Sequence, residues 1–138
     1  MERKPVLYVE DDDDDVFFMR RAFEAADVRN PLKVVQDGQE AIQYLSGAGP
    51  YANRAEHPLP TLVLLDLKLP RKGGLEILKW IREQPALNTL IVAVMTSSQN
   101  VLDIGQAYDL GANAYSVKPT GADKLVEMVR SLRQRFLD

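Results

Sequence analysis

The sequence predicts an α/β fold with a doubly wound parallel sheet, and two observations lead to that prediction. Short β-rich runs alternate along the chain with stretches whose apolar residues recur at helical spacing. One run, Leu62–Leu65, is apolar at every position, so helices must cover both of its faces. In such sheets the functional crevice lies beyond the carboxyl ends of the strands, where the strand order reverses.

The composition indicates one globular domain. The chain has 138 residues, of which 46% are apolar and 27% charged, and its formal net charge is −3. We expect residues 1–138 to form a single domain, and nothing in the charge balance favours nucleic acid as a partner. Because Cys is absent, disulfides and thiolate metal sites are excluded, and we expect a cytoplasmic location. The longest apolar run, 90–95, is far shorter than the roughly 20 residues of a membrane helix, so we expect neither a membrane span nor a signal peptide.

Four or five strands are predicted from short runs rich in β-branched and other apolar residues. Each run is four to six residues long, which suits strands better than helices. The runs are Val6–Val9, Leu32–Val35, Leu62–Leu65, 90–95 and Ala114–Val117.

Three amphipathic helices are predicted between and after these strands. The first covers 14–26, where the apolar residues lie on one side and the charged residues Arg20, Arg21 and Glu24 on the other. The second has apolar residues from Leu75 to Ile81 and ends before Pro85, which cannot continue a helix. The last is the clearest, because its apolar residues follow the spacing i, i+3, i+4, i+7, i+11; they are Leu125, Met128, Val129, Leu132 and Phe136.

Residues 47–60 form a predicted loop, because Gly and Pro recur through the segment. It is too long for an average connection and too short for a domain. The only His, His57, lies in this loop, where we expect it to be exposed and to take no part in chemistry. The pair Gly73-Gly74 is interpreted as a turn and helix entry that uses the conformational freedom of Gly.

Polar residues follow four of the predicted strands, and they should meet at one edge of a parallel sheet. They are Glu10-Asp11-Asp12, Asp66, Thr96-Ser97-Ser98 and Lys118-Pro119. Carboxylates from two strands repel at close range unless a cation lies between them. Mg²⁺, or Mn²⁺ in its place, fits because it needs few protein oxygens and shares its octahedron with water and phosphate. The predicted ligands are Asp11, Asp66 and the backbone carbonyl of Lys68.

Asp66 is also the candidate nucleophile, since a carboxylate can attack phosphorus to give an acyl phosphate and Asp66 ends the central strand. Phosphoryl transfer requires stabilisation of the charge on the moving oxygens. One ammonium and one hydroxyl would supply it beside the metal ion, and Lys118 and Thr96 have these groups at the neighbouring strand ends. Asp13, Asp14 and Asp15 are interpreted as solvated acids at a helix start.

Four segments resemble the signature motifs of the receiver domains of two-component response regulators. The match extends from about residue 5 to 136 and implies a flavodoxin-like receiver fold with five parallel strands in the order 2-1-3-4-5 and five helices. The segments are VLYVEDD (6–12), LLDLKLPRKGG (64–74), MTS (95–97) and YSVKP (115–119).

The resemblance implies a role for each matching residue. Glu10 and Asp11 become the acidic pair of the metal site, and Asp66 becomes the phospho-acceptor. Thr96 becomes the hydroxyl of a conformational switch and Tyr115 its aromatic partner. Lys118 becomes the phosphate-binding lysine, with a cis peptide bond to Pro119 that aims its ammonium inward.

By the same resemblance, the chain is a single-domain response regulator that a sensor histidine kinase phosphorylates and that helps to catalyse its own phosphorylation. The loop at 47–60 and an ending at the fifth helix, with no output domain expected after it, resemble the small regulators that partner bacterial phytochromes. We therefore expect a bacteriophytochrome as the kinase and a homodimer through the fourth and fifth helices. Lys68 and Ser98 occupy positions at which the family varies, which leaves the lifetime of the phosphorylated form open.

Other functions remain to be weighed against this one. A phosphohydrolase of the haloacid dehalogenase type carries an acid/base Asp two residues after its nucleophile, where this chain has Lys68. A flavodoxin-like cofactor binder needs a phosphate loop after the first strand, where five Asp residues would repel an anion. A receiver-like binding module that works without phosphorylation, a phosphate sink and a phosphorelay intermediate stay open.

Overall fold

The computed structural model describes residues 3–69, 73–97 and 100–137. Strands and helices alternate through these ranges, and no helix among them is long and apolar enough to cross a membrane. The strands are β1 (Val6–Val9), β2 (Leu32–Val35), β3 (Leu62–Leu65), β4 (Ile91–Thr96) and β5 (Ala114–Val117). The helices are α1 (Asp13–Ala25), α2 (Gly38–Ser46), α3 (Gly74–Glu83), α4 (Val101–Asp109) and α5 (Ala122–Leu132), with a 3₁₀ turn at Gly49–Tyr51 and a π-helical turn at Arg133–Leu137.

The five strands form one parallel sheet in the order β2-β1-β3-β4-β5, which confirms the predicted fold. The chain moves from β1 to β2 on one side and then returns to place β3 on the other side of β1. The strand order therefore reverses between β1 and β3. The crevice expected at such a reversal lies above Val9 and Leu65, the paired residues that end these two strands.

Two apolar layers cover the two faces of the sheet. Alternate residues of β1 point to opposite faces, so Leu7 packs with α2, α3 and α4 whereas Val6 packs with α1 and α5. Every residue of β3 is fully buried. Each buried Leu or Val side chain contributes about 1.5–3 kcal/mol to folding, which explains why this strand can stand at the centre of the sheet without a polar position.

Helix α1 begins immediately after the acidic end of β1. The Asp12 carboxylate is its N-cap and accepts hydrogen bonds from the backbone N–H groups of Asp14, at 2.9 Å, and Asp15, at 3.1 Å. Acidic residues in a first turn also interact favourably with the positive end of the helix dipole. The Asp run thus starts the helix, as predicted, and fixes its first turn over the carboxyl edge of the sheet.

Hydrogen bonds from Arg54 and Tyr44 hold the loop at 47–60 against α2, and the Tyr44 hydroxyl donates to the Pro58 carbonyl at 2.9 Å. Arg54 donates from Nη1 to the carbonyl oxygens of Tyr44, at 2.7 Å, and His57, at 3.0 Å, and from Nη2 to that of Leu45, at 2.7 Å. These contacts satisfy carbonyl groups in the last turn of α2 that have no partner within the helix. The long loop is therefore an ordered part of the domain.

The expected exposure of His57 is wrong. Its side chain is only 25% exposed and packs edge-on against Tyr44 and Tyr51, with ring centroids 6.0 and 5.1 Å away. The two tyrosine rings form an apolar wall, and the hydrogen bonds of Arg54 fold the loop back over it. The sequence pattern of Pro and polar residues gave no sign of this enclosure.

Candidate functional site

Three carboxylates meet at the carboxyl ends of β1 and β3. Oxygen atoms of Glu10, Asp11 and Asp66 all lie within 4.8 Å of one another. Glu10 and Asp66 are buried, whereas Asp11 is exposed at the mouth of the crevice. The structure thus brings together the strand-end acids that the sequence pointed to.

Lys118, directly after β5, turns its ammonium into this cluster. Its Nζ lies 2.6 Å from Glu10 Oε1, 2.8 Å from Asp15 Oδ2 and 2.9 Å from Asp66 Oδ2. Burial disfavours the charged ammonium, but the hydrogen bonds to Asp15, Glu10 and Asp66 outweigh that cost and hold the pKa of Lys118 above its ordinary value. Lys118 is therefore a cation near neutral pH, in contact with three acids.

Glu10 is the most enclosed acid of the site. Its Oε1 accepts from the Tyr8 hydroxyl at 3.3 Å and from Lys118, and its Oε2 accepts from the backbone N–H groups of Asp11 and Asp12 at 3.1 and 3.3 Å. Burial, helped by repulsion from Asp66 and opposed by Lys118, raises the pKa of Glu10 from 4.5 to about 7. Glu10 thus exchanges its proton close to neutral pH in the metal-free protein.

This shift predicts an unusual pH dependence of stability for the metal-free protein. A carboxyl group whose folded pKa exceeds its unfolded value binds more protons when folded, so stability falls as the pH rises from about 4.5 to 7. The loss from Glu10 is on the order of 3 kcal/mol over that range. Urea unfolding at several pH values in a chelator should show this fall in the wild type and not in Glu10→Gln. Parallel curves for the two proteins would contradict the prediction.

Asp66 is held on both sides. Its Oδ1 accepts from the backbone N–H of Lys68 at 3.0 Å, and its Oδ2 accepts from Lys118. The Lys68 side chain is exposed. The backbone carbonyl of Lys68 stays a predicted metal ligand.

Gly74, the first residue of α3, lies directly beneath the Asp66 loop. A Cβ atom on Gly74 would collide with the Asp66 carbonyl oxygen and would lie 2.7 Å from the Leu67 Cα atom. The Gly74 backbone N–H also donates to the Leu67 carbonyl at 3.0 Å. The interpretation of this glycine through conformational freedom is therefore wrong, since its φ is not positive and close backbone approach is what requires Gly.

Thr96 and Tyr115 project to the same face of the sheet. Tyr115 pairs with Val94, and Thr96 lies two residues beyond Val94 on β4, so all three side chains share one side. Thr96 is fully buried, whereas Tyr115 is partly buried against the apolar layer of α2, α3 and α4. This placement is compatible with the predicted switch. Ser98, the variable position two residues after Thr96, lies outside the described residues.

The expected cis peptide bond before Pro119 is wrong. Every peptide bond between described residues is trans, including Lys118–Pro119. The trans form of such a bond is favoured by about 0.5–1 kcal/mol. With a trans bond, Lys118 already places its ammonium among the acids while its backbone N–H donates to the Thr96 carbonyl at 2.8 Å. Nothing in the local geometry requires the cis form.

Sequence reasoning missed two residues of the site. Asp15 was assigned to the solvated start of α1, yet its carboxylate binds Lys118. Tyr8 was counted only as a strand residue, yet its buried hydroxyl donates to Glu10, and burial raises the pKa of Tyr8 above its usual value. Tyr8 was detectable, because residues two apart on a strand share a face and Tyr8 stands two before Glu10.

The acidic cluster fits a small divalent cation. Mg²⁺ and Mn²⁺ prefer oxygen ligands, and oxygens of an octahedral Mg²⁺ site are separated by roughly 3–4 Å. The oxygens of Glu10, Asp11 and Asp66 lie within 4.8 Å of one another, so small side-chain movements would bring them to that spacing. Lys118 supplies one positive charge against three or more carboxylates, so a divalent ion would relieve their mutual repulsion.

Comparison with known proteins gives a consistent result. A model of the response regulator receiver domain family matches residues 6–130. Response regulator Rcp1 of Synechocystis sp. is 33% identical over 135 residues, which cover 98% of this chain and 90% of Rcp1. The resemblance predicted from the sequence motifs is thereby confirmed.

Solved structures agree with this result. The phosphorylated cyanobacterial phytochrome response regulator RcpA matches with a TM-score of 0.90 and 35% identity, over 99% of this chain and 95% of RcpA. The Mn²⁺-bound form of Rcp1 matches with a TM-score of 0.86 and 33% identity, over 96% of this chain and 93% of that chain. The match therefore covers most of each relative.

Proposed function

Since this chain belongs to the response regulator receiver domain family, we propose that it accepts a phosphoryl group on Asp66 from a sensor histidine kinase and signals through a changed surface. One observation carries the proposal. The buried Asp66 carboxylate lies 2.9 Å from the Lys118 ammonium and beside the carboxylates of Glu10 and Asp11. A nucleophile, a fixed cation and a set of metal ligands thus occupy one crevice.

In the proposed reaction, a carboxylate oxygen of Asp66 attacks the phosphorus atom of a phosphohistidine. The bond from phosphorus to the imidazole nitrogen breaks, and the electron pair stays on that nitrogen. The Lys118 ammonium, already beside the Asp66 oxygen, stabilises the charge on the phosphoryl oxygens. The Lys68 N–H, bound to the other oxygen, holds the carboxylate in its orientation. In this way the chain helps to catalyse its own phosphorylation.

Glu10, Asp11 and Asp66, with the carbonyl of Lys68, would hold Mg²⁺ or Mn²⁺. The bound ion would supply positive charge opposite the transferred phosphoryl group. The Tyr8 hydroxyl and two backbone N–H groups fix the Glu10 carboxylate, so this wall of the site is preorganised. The Mn²⁺-bound form of Rcp1 supports a divalent ion here by analogy.

The output is proposed to leave through α4, β5 and α5. Movement of the Thr96 hydroxyl toward a phosphoryl oxygen would open space that Tyr115 can fill, since both side chains lie on one face of the sheet. Val101, Leu102 and Tyr108 of α4 are exposed apolar or aromatic residues close to this region. They support the proposal of a homodimer through α4 and α5.

The proposed kinase is a bacteriophytochrome or a related sensor histidine kinase. RcpA is described as a phytochrome response regulator and is similar over nearly the whole of this chain. A single domain at 1–138 and a cytoplasmic location stay predictions. A phosphate sink or a relay intermediate would share the chemistry at Asp66 and differ only in what receives the phosphoryl group afterwards.

The proposal is tested by incubating the protein with Mg²⁺ and acetyl phosphate and measuring its intact mass. We expect one added phosphoryl group in the wild type and in the control Asp109→Asn, which changes an exposed Asp at the end of α4. We expect none in Asp66→Asn or in a chelator. A wild type that stays unmodified even with a phosphorylated histidine kinase would contradict the proposal and favour the binding module that works without phosphorylation.

A further inference from the structure

The Lys118 ammonium has no donor left for a phosphoryl group. An ammonium carries three N–H donors, and this one has three carboxylate acceptors within 2.9 Å, on Glu10, Asp15 and Asp66. The proposed function requires Lys118 to bind a phosphoryl oxygen on Asp66. One of the three present contacts must therefore be given up when Asp66 is phosphorylated.

We propose that Asp15 is a positioning residue that holds the Lys118 ammonium in the unphosphorylated protein and releases it to the phosphoryl oxygen. This inference rests on the proposed function of Asp66. The contact between Asp15, in the first turn of α1, and Lys118 would open when the phosphoryl group binds to Asp66.

Exposure distinguishes Asp15 from the other two partners. Its side chain is 37% exposed, whereas those of Glu10 and Asp66 are 1% and 7% exposed. A released Asp15 carboxylate is taken up by water at small cost. Release of Glu10 would leave a buried carboxylate without its cation, which is far more expensive. The Asp66 contact is the alternative, because the phosphoryl group is bonded to that carboxylate; if it alone opened, loss of the Asp15 charge would not change the affinity for a phosphoryl mimic.

Space for the rearrangement lies beside the ammonium. A cavity of about 140 Å³ opens between α1 and α5, and its lining includes Tyr8, Asp15, Met95, Lys118 and Leu125. The Lys118 side chain can therefore change its direction without displacing the packed core. Both groups that must separate, the Asp15 carboxylate and the Lys118 ammonium, line this cavity.

The experiment measures beryllofluoride binding, as a mimic of the aspartyl phosphate, at saturating Mg²⁺ in the wild type, Asp15→Asn, Asp15→Glu and Asp14→Asn. Asp14 is the matched control, because it is an exposed acid in the same turn. We expect Asp15→Asn to bind about tenfold more tightly, since its Lys118 donor is no longer held by a charged acceptor. We expect Asp15→Glu to return toward wild-type affinity and Asp14→Asn to match it.

Two further readouts separate this role from a general effect of charge. The gain in Asp15→Asn should persist from 0.1 to 0.5 M salt, whereas a through-space charge effect is screened. Mg²⁺ affinity without beryllofluoride should change less than twofold. Equal affinities in Asp15→Asn and the wild type, or a gain that salt removes, would overturn the role of Asp15. Failure of every protein to bind beryllofluoride would overturn the proposed function itself.

Discussion

Replacement of Lys118 by Met is expected to slow phosphorylation of Asp66 by at least about 100-fold, the cost of removing one charge-stabilising donor from an active site. The same change should lower the free energy of unfolding of the metal-free protein by about 3 kcal/mol at pH 8. Both effects have one cause. The ammonium lies within 2.9 Å of three carboxylates, two of them buried, and Met keeps the length of the side chain without the charge.

The stability loss in Lys118→Met should depend on pH. In the wild type the pKa of Lys118 is raised, so its stabilising contribution is complete below the ordinary lysine value and is lost only at strongly alkaline pH. Without Lys118, the pKa of Glu10 should rise beyond about 7, because the group that favours its charged form is gone. Protonation of Glu10 then removes the uncompensated charge, and the deficit should shrink by pH 5.

Urea unfolding in a chelator at pH 5 and pH 8 tests these stability effects, with phosphorylation by acetyl phosphate measured in parallel. Lys124→Met is the control, because Lys124 is an exposed lysine on α5. Mg²⁺ should bind Lys118→Met more tightly than the wild type, since a competing cation has been removed. A variant as stable as the control at both pH values would show that the ion pairs contribute little to folding.

Not every element of the fold could be predicted from periodicity. The fully apolar β3 and the regular apolar spacing of α5 were clear, because each reflects burial against a large continuous surface. The sequences of helices α2 and α4 show no such pattern, and these two helices were predicted only from the family resemblance. Helix α4 places only Ala107 in the core and exposes Val101 and Leu102, so its apolar residues do not mark its buried side.

The candidate site was predictable to the extent that the strand ends define it. Asp11, Asp66 and Lys118 each follow a strand of one parallel sheet. The carboxyl ends of these strands lie at the same edge of the sheet, independently of how the connecting segments fold. Asp15 could not be found in this way. Its partner Lys118 is 103 residues away, and the angle at which α1 leaves β1 decides the contact.

Spacing rules also do not report how closely two backbones approach. Gly74 was noticed as a turn residue, but its importance lies in the absence of a Cβ atom where α3 passes beneath Asp66. A tight turn and a close approach of two backbone segments both favour Gly at a position in the sequence. Only coordinates distinguish them.

Substitution of Gly74 by Ala is therefore expected to lower the free energy of unfolding by roughly 3 kcal/mol, the upper end of the usual cost of overpacking. The new Cβ would meet the Asp66 carbonyl oxygen and the Leu67 Cα atom, and backbone cannot rotate away as a long side chain can. The loop that carries Asp66 must shift instead. A shift of even part of an ångström moves the Asp66 carboxylate relative to Lys118, so we also expect phosphorylation to slow by at least about tenfold.

Gly73→Ala is the matched control, one residue away and chemically identical. Among the described residues, the nearest neighbour of its Cβ would be the Leu67 carbonyl oxygen, at 3.9 Å, and the φ of −67° at Gly73 suits any residue. The two variants should be compared by thermal unfolding and by the rate of phosphorylation with acetyl phosphate. Gly73 is the N-cap of α3, where Ala is less favourable than Gly, whereas inside the helix Ala is the better residue. Without the close approach, Gly74→Ala would therefore be the more stable variant, so a larger loss in Gly74→Ala measures contact with the Asp66 loop. If both lost the same stability, the glycine pair would matter as a flexible turn, and the close approach of α3 to Asp66 would not be the constraint.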